Sequence, residues 1–233
     1  MFMLCAMSLF GETVGNDYLM GMFEPRKDNR FVLVDMKYTS IRNSYLRTEA
    51  YDAFKKMVEQ AKTEGIQLKI VSATRNFNSQ KSIWNAKWEG FRLVNGKNLK
   101  KAFPNPSDRA IEILKFSAMP GASRHHWGTD IDLNSVSPAY FDKKKGKTEY
   151  EWLIKNAHRY GFYQPYTARS TGRTGGHEEE KWHWSYIPLS KDFYQQYISR
   201  INYSDFTGFS GSESAGKIQI ILNYVRNINP DCQ

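Results

Sequence analysis

The sequence predicts an α+β fold, because amphipathic helices and short apolar strands are intermixed without the regular βαβ rhythm of a parallel sheet. In residues 48–65, apolar side chains recur at helical spacing, with Thr48 as a candidate N-cap and Gly65 as the stop. Residues 66–75 follow at once as a run of β-branched and apolar residues, which predicts a buried strand ending at Arg75. A chain of 233 residues can bury a substantial core around such elements.

The later elements follow from the same signals. A second helix is expected in 78–90, capped by Asn78, and a third in 106–119, which either begins at Pro106 or is capped by Ser107. The pattern then predicts a strand in 129–134, a helix in 149–160, a strand in 178–188 and amphipathic segments in 190–202 and 217–228.

No internal repeat or convincing linker divides the chain, so we expect one domain spanning 1–233, with a core of about 45–190 and a helical extension over 190–233. Residues 1–20 are expected to be either a signal remnant or an N-terminal extension. Their opening, "MFMLCAMSLF", is apolar but carries no basic residue, so it is a trimmed secretory signal, a buried strand or a cloning artefact. Elsewhere the sequence has no apolar run of the length that crosses a membrane.

The charge balance is strongly basic, with a formal net charge of +9 spread along the chain in short Lys/Arg clusters. Such a surface suits a polyanionic neighbour, although it is equally compatible with a merely soluble basic protein. We expect no nucleic-acid partner, because zinc-finger spacing and RNA-recognition signatures are missing from the sequence. An anionic cell-wall polymer fits the charge as well. Cys5 and Cys232 are too few to build a cysteine metal site.

Two short stretches concentrate the residue types that bind a catalytic metal. "HHWGTDID" at 125–132 places a histidine in a loop and an aspartate in the following strand, with Gly128 allowing a sharp turn between them. "EKWH" at 180–183 adds a glutamate and a second histidine three residues later. On one strand these two side chains would face opposite ways, so a bend or the start of the strand must bring both to a shared metal. Three ligands, an open position and an unligated carboxylate are what a catalytic zinc site requires.

These stretches resemble a known signature. The pattern S-x-H-x-x-G-x-x-x-D at 123–132, followed by E-x-W-H at 180–183, is similar to that of the zinc D-alanyl-D-alanine carboxypeptidases and dipeptidases of the vancomycin-resistance type. Lysostaphin-like endopeptidases and the hedgehog signalling domain belong to the same superfamily. A third stretch, "SATRNFNSQ" at 72–80, resembles the family's S-x-x-R-x-x-x-x-Q segment. The resemblance covers residues from about Glu49 to Pro188, and it implies a small antiparallel sheet that carries the zinc site and is flanked by helices.

The resemblance also implies roles for individual residues. One Zn²⁺ per chain would be bound by His125, Asp132 and His183. Glu180 would be the general base, and Arg75 would stabilise the oxyanion or position the substrate. Substrate binding would fall to Ser123 and Gln80 at the terminal carboxylate and to Trp182 at the pocket wall.

The chain departs from the family at Asp130, where alanine is commoner. Either Asp130 or Asp132 could bind the metal, since both lie on one strand face; spacing favours Asp132, with Asp130 orienting an imidazole. His126 either contacts the substrate or supports a ligand.

The remaining histidines and the tryptophans are expected in structural, exposed or cleft positions. His158 and His177 are interpreted as structural or solvent-exposed. Trp84, Trp88 and Trp152 are expected in the core, whereas Trp127, Trp182 and Trp184 flank the ligands and are expected in the cleft.

The expected function is therefore zinc-dependent hydrolysis of the terminal D-Ala from peptidoglycan stem peptides. An L,D-carboxypeptidase, an endopeptidase on cell-wall peptides and a non-catalytic zinc-stabilised module are the alternatives. The retention of Glu180 and Arg75 favours an enzyme. We expect an exported protein, periplasmic or at the cell surface, with or without a lipid anchor; the sequence leaves the oligomeric state open.

Overall fold

The computed structural model describes residues 11–233 and confirms the α+β class. Its helices are α1 (Asn16–Leu19), α2 (Thr48–Thr63), α3 (Phe77–Trp88), α4 (Leu99–Ala102), α5 (Pro106–Leu114), α6 (Pro138–Phe141), α7 (Lys144–Asn156), α8 (Ile187–Arg200) and α9 (Ser214–Lys217). Its strands are β1 (Phe31–Leu33), β2 (Tyr45–Arg47), β3 (Ile70–Ser72), β4 (Asp130–Leu133), β5 (Phe162–Tyr163) and β6 (His183–Tyr186).

Strands β3, β4, β6 and β5 form a four-stranded antiparallel sheet in the order β3-β4-β6-β5, which carries most of the polar residues of the candidate site. Strands β1 and β2 form a separate antiparallel pair. In the central pair, Asp132 lies opposite His183, and Asp130 lies opposite Ser185. Side chains two apart on a strand share a face, and directly opposed residues lie side by side. These four polar side chains therefore point to the same face of the sheet.

The other face of the sheet is apolar and packs on α2 and α7. Ile131 and Trp184, opposed in the same strand pair, belong to this core. Helix α2 contributes side chains from one face to this core, including Phe54 and Met57, which are both fully buried. Burying a side chain of this size contributes about 1.5–3 kcal/mol. This packing fixes the sheet, and with it the position of the polar face.

A second core lies among α1, α3, α5, α8 and the C-terminal residues, and it is rich in aromatic rings. Trp84 and Trp88 of α3 are buried there, as predicted, and Trp152 of α7 is buried in the first core. The prediction for Trp127 and Trp184 was wrong. Trp127 packs near Phe193 in the second core, and Trp184 is in the first because it follows His183 on a strand and so faces the opposite way.

Several element ends differ from the sequence expectation. Helix α3 is capped by Asn76, whose side chain accepts a hydrogen bond from the Ser79 amide, so the prediction of Asn78 was wrong by two residues. Helix α5 does begin at Pro106, with Asn105 as its cap. The 217–228 segment is broken after α9 by Gln219, which has a φ of 50°, and a short π-helical turn follows.

The N-terminal expectation falls partly outside the described residues, since "MFMLCAMSLF" occupies positions 1–10. From Val14 onward the segment contributes to the second core, where Leu19 is fully buried. Within 11–233, none of the helices combines the length and the apolar character that a membrane crossing needs.

Candidate metal centre and its cavity

The two ligand stretches meet on the polar face of the sheet. His125 lies in a 3-10 turn just before β4, Asp132 lies within β4, and His183 begins β6. The turn between the first two residues requires Gly128: its φ is 75°, and a Cβ there would lie 2.2 Å from the Phe31 ring. One potential ligand atom from each of the three residues lies within 4.8 Å of the others.

The spacing of these atoms suits a tetrahedral ion. Asp132 Oδ1 lies 3.3 Å from His125 Nε2 and 3.4 Å from His183 Nδ1. Zinc bonds of about 2.0–2.1 Å in a tetrahedron separate neighbouring ligand atoms by about 3.3–3.4 Å. The arrangement therefore needs little adjustment to hold one zinc ion.

Each imidazole is oriented by a hydrogen bond from its other nitrogen. The His125 Nδ1–H donates to the carbonyl oxygen of Ala73 at 2.8 Å, and the His183 Nε2–H donates to Asp130 Oδ2 at 2.8 Å. These bonds select the tautomers in which His125 Nε2 and His183 Nδ1 have free lone pairs. Both lone pairs face Asp132.

Two of the three candidate ligand atoms are buried without any hydrogen-bond partner: His125 Nε2 and Asp132 Oδ1. Buried polar atoms are nearly always satisfied, so this pair requires an explanation. A divalent cation supplies one, and an imidazole–carboxylate–imidazole set is a common donor set for catalytic zinc. The residues present thus fit the ion.

Asp130 is the centre of a buried polar network behind His183. Its Oδ2 also accepts a hydrogen bond from Arg124 Nε at 3.0 Å, and its Oδ1 accepts from the hydroxyls of Thr129 and Ser185. Burial opposes the charged form, but Arg124 and His183 outweigh it and hold the pKa of Asp130 well below its usual range. The structure thus places Asp130 where the sequence reasoning expected a residue that orients an imidazole.

Glu180 lies beside the candidate ligands, in the turn that precedes β6. The turn is held by a hydrogen bond from the Glu180 amide to the carbonyl of Tyr166. Glu180 Oε2 is 3.2 Å from His183 Nδ1, and the residue is only 6% exposed. Burial raises the pKa of Glu180 above its ordinary value, which suits a group that must both accept and release a proton. This turn supplies the bend that the sequence hypothesis required.

Arg75 projects into the same cavity. Its guanidinium donates to Gln80 Oε1 at 2.9 Å and to Ser72 Oγ at 2.5 Å, and it lies 3.5 Å from Asp132 Oδ2. All three members of the "SATRNFNSQ" stretch are therefore linked, since Ser72 and Gln80 fix the direction of Arg75. Arg75 and Asp132 line the same cavity.

A cavity opens over this site. It is lined by all eight residues to which the resemblance gave a metal-binding, catalytic or substrate-binding role: His125, Asp132, His183, Glu180, Arg75, Ser123, Gln80 and Trp182. The remaining lining residues were not predicted: Ile83, Lys87, Arg92, Phe116, Ser117, Ala118, Val136, Tyr166 and His177. Of these, only Ile83 and Lys87 carried a sequence signal, because they share a helix face with Gln80.

The other histidines have distinct positions. His126 is buried away from the cavity lining; its ring contacts the Arg75 carbonyl at 2.6 Å and accepts from the Gly121 amide at 3.0 Å, which ties two loops together. His177 is buried, and its Nδ1 contacts the Leu114 carbonyl at 2.5 Å, which agrees with the structural interpretation; its ring also lines the cavity and packs edge-on against Tyr166, which was not predicted. His158 packs near Tyr163, away from the site.

Comparison with known sequences identifies the family. The sequence profile described as VanY, D-alanyl-D-alanine carboxypeptidase, matches residues 43–189, which is more than half of the chain. A Bacillus subtilis protein named "Putative carboxypeptidase YodJ" is 32% identical over 174 residues, covering 72% of this chain and 56% of that protein. The D-alanyl-D-alanine carboxypeptidase of Enterococcus faecalis is 26% identical over 133 residues, covering 57% and 45%. The chain spans about half the length of these curated relatives.

Solved structures show the same fold. VanYB in complex with D-alanine-D-alanine superposes with a TM-score of 0.54 at 20% identity, covering 75% of this chain and 91% of that one. The LD-carboxypeptidase LdcB gives 0.51 at 22%, with coverage of 85% and 76%. A variant of the D,D-pentapeptidase VanY in complex with Zn(II) gives 0.50 at 20%, with coverage of 78% and 93%. These likenesses show the fold, and the profile match over 43–189 confirms the resemblance drawn from the sequence: the chain belongs to the VanY family of D-alanyl-D-alanine carboxypeptidases.

Proposed function

We propose that this protein is a zinc-dependent D,D-carboxypeptidase that removes the terminal D-Ala of peptidoglycan stem peptides. The observation that carries the proposal is the buried triad His125, Asp132 and His183, with Glu180 beside it in a cavity also lined by Arg75. A bound zinc would supply Lewis acidity: it would lower the pKa of a bound water molecule to about 7 and polarise a substrate carbonyl.

Residues of the chain would carry out the proton transfer and the stabilisation of charge. Glu180 would take the proton of the attacking water and later deliver it to the departing amine. Its position 3.2 Å from His183 Nδ1 places it next to the ligands. Arg75, fixed by Ser72 and Gln80, would stabilise the negative charge that develops on the carbonyl oxygen.

Substrate positioning is assigned to the cavity walls. Ser123 and Gln80 would contact the terminal carboxylate, and Trp182 would form an apolar wall. Trp182 packs near Phe116 and Phe141, with ring centroids 6.1 Å away in each case, so its position is fixed before a substrate arrives. A preformed wall reduces the cost of ordering the site on binding.

A single peptide-cleavage assay distinguishes the proposal from two alternative enzyme activities. An L,D-carboxypeptidase shares this fold in LdcB, and a wall endopeptidase would cut within the stem. A non-catalytic module is disfavoured, since both Glu180 and Arg75 face the cavity. The test incubates zinc-loaded protein with stem pentapeptide and with stem tetrapeptide, and weighs the products by mass spectrometry.

Loss of one alanine from the pentapeptide, with the tetrapeptide left intact, supports the proposal. Loss from the tetrapeptide supports the L,D alternative, and internal cleavage supports an endopeptidase. Glu180→Gln should lower kcat at least a hundredfold. Glu178→Gln is the matched control, because that neighbouring carboxylate is exposed and pairs with Arg169. A Glu180→Gln variant with full activity would remove the assigned base.

The proposed substrate lies outside the cytoplasmic membrane, so we also propose that the chain acts in the periplasm or at the cell surface. Fractionation of cells expressing the full-length protein tests this, and retention of all of it in the cytoplasm would contradict it.

A further inference from the structure

Lys87 lines the cavity but has no part in the chemistry proposed above. Lys87 is on the face of α3 that also carries Gln80 and Ile83, and all three line the cavity. Residues 80 and 87 are two helical turns apart, or about 10.5 Å along the axis. A lysine at the second of these positions must extend its side chain to reach the same end of the cavity as Gln80.

The Lys87 side chain does extend in that direction. Its ammonium group donates a hydrogen bond to the Ser117 hydroxyl, while the Gln80 amide donates to the carbonyl of the next residue, Ala118, at 2.8 Å. Both side chains thus end on one short wall segment. The Lys87 ammonium is therefore held near the residues assigned to the substrate carboxylate.

The ammonium has no carboxylate partner there. Among residues 11–233, no Asp or Glu oxygen lies within 4.0 Å of Lys87 Nζ. The other cations that line the cavity are Arg75 and Arg92, and its carboxylates, Asp132 and Glu180, lie beside His125 and His183, at 3.3 Å and 3.2 Å. Burying a cation without a counter-charge is unfavourable. Burial, with repulsion from Arg92, lowers the pKa of Lys87 to about 8, which still leaves the amine mostly charged at pH 7.

We propose that Lys87, held by Ser117, is a specificity-determining residue that binds a carboxylate group of the substrate. The proposal rests on the proposed function and deepens it. A stem peptide offers this chemistry at two places, its C-terminal carboxylate and a carboxylate on an earlier residue. An ion pair in a partly desolvated cavity would make the enzyme prefer the ionised peptide over its amide.

The experiment measures kcat/KM for three matched peptides: the free acid, the C-terminal amide and a peptide whose earlier carboxylates are amidated. Zinc-loaded wild type is compared with Lys87→Met, which keeps an unbranched side chain, one atom shorter, and removes the charge. Lys87→Arg retains a cation. Lys81→Met is the matched control, because Lys81 lies on the same helix outside the cavity lining.

We expect Lys87→Met to lower kcat/KM for the free acid by about tenfold to a hundredfold, because a hydrogen bond to a charged group is lost. The effect should vanish for whichever amidated peptide lacks the carboxylate that Lys87 binds, which identifies the source of that group. Lys87→Arg should keep most of the preference for the acid, and Lys81→Met all of it.

An equal loss on all three peptides would overturn the proposal, since Lys87 would then act on structure or on the reaction itself. An unchanged kcat/KM for the free acid would also overturn it. Failure of the proposed function is distinguishable, because in that case wild type would hydrolyse none of the peptides. Thermal unfolding of each variant shows that the comparison is made between folded proteins.

Discussion

The Nε2 atom of His183 lies 2.8 Å from Asp130 Oδ2, and this hydrogen bond turns the other imidazole nitrogen toward Asp132. Asp130 and Asp132 are two residues apart on β4, so they share a face and have complementary positions. One lies behind the imidazole, and the other lies beside its free lone pair. The strand thus supplies a candidate ligand and the residue that orients another.

Removing the charge of Asp130 should weaken metal binding without removing a ligand. We expect Asp130→Asn to raise the zinc Kd by about tenfold to a hundredfold, because the hydrogen bond that fixes His183 is weakened. Competition with a calibrated chelator measures the Kd. Asp52→Asn, an exposed aspartate on α2, is the control and should leave it unchanged. Equal affinities for Asp130→Asn and wild type would show that Asp130 does not orient the ligand.

The buried ion pair behind the site should matter far more to stability than an exposed one. Arg124 and Asp130 are 4% and 0% exposed at the side chain, whereas Lys55 and Asp52 are 40% and 54% exposed. Arg124→Ala leaves a buried carboxylate without its counter-charge, so we expect a loss of about 3–5 kcal/mol in the free energy of unfolding. Lys55→Ala should cost less than about 1 kcal/mol. Urea denaturation measures both, and comparable losses would contradict the argument.

Zinc should stabilise the fold through the three candidate ligands and not through Glu180. At a free zinc concentration 100 times Kd, the expected gain in the free energy of unfolding is about 2.7 kcal/mol. Glu180→Gln should retain this gain, and His183→Ala should lose most of it. Thermal unfolding with and without zinc gives the shift, and elemental analysis gives the metal content. A variant at Glu180 that no longer binds zinc would place that residue among the ligands.

Lys87→Met should stabilise the protein near pH 7, and the gain should shrink as the pH rises. Burial lowers the pKa of Lys87 from 10.5 to about 8, so below pH 8 the native state carries the full cost of a buried cation. Between pH 8 and 10.5 the native amine releases its proton before the unfolded one does, which relieves that cost in wild type. We expect a gain of about 1–3 kcal/mol at pH 7 and little at pH 10.5. Urea denaturation at both pH values checks this, and a gain independent of pH would refute it.

Much of the site could be predicted because its residues obey simple strand and turn rules. Asp130 and Asp132 share a face by alternation, and Gly128 permits the turn that returns the chain from His125 to β4. The bend that brings Glu180 and His183 together could only be stated as a requirement. Its cause is the contact between the Glu180 amide and Tyr166, which are distant in sequence.

Other features were beyond the reach of local pattern. Proximity in sequence to a ligand misled the interpretation of Trp184, although the alternation of β6 already places it on the apolar face. Helix periodicity places Lys87 on the same face as Gln80, but it does not predict whether that face packs in the core or lines a cavity. The 217–228 segment has helical spacing, yet the positive φ of Gln219 interrupts it, and a π-helical turn follows.

The most direct test of the central claim is anomalous diffraction at the zinc edge from crystals of the zinc-loaded protein. We predict one strong peak per chain, within bonding distance of His125 Nε2, Asp132 Oδ1 and His183 Nδ1, with Glu180 close by but outside the coordination sphere. A peak bound to Glu180 in place of one of these atoms, or none between the three residues, would contradict the account.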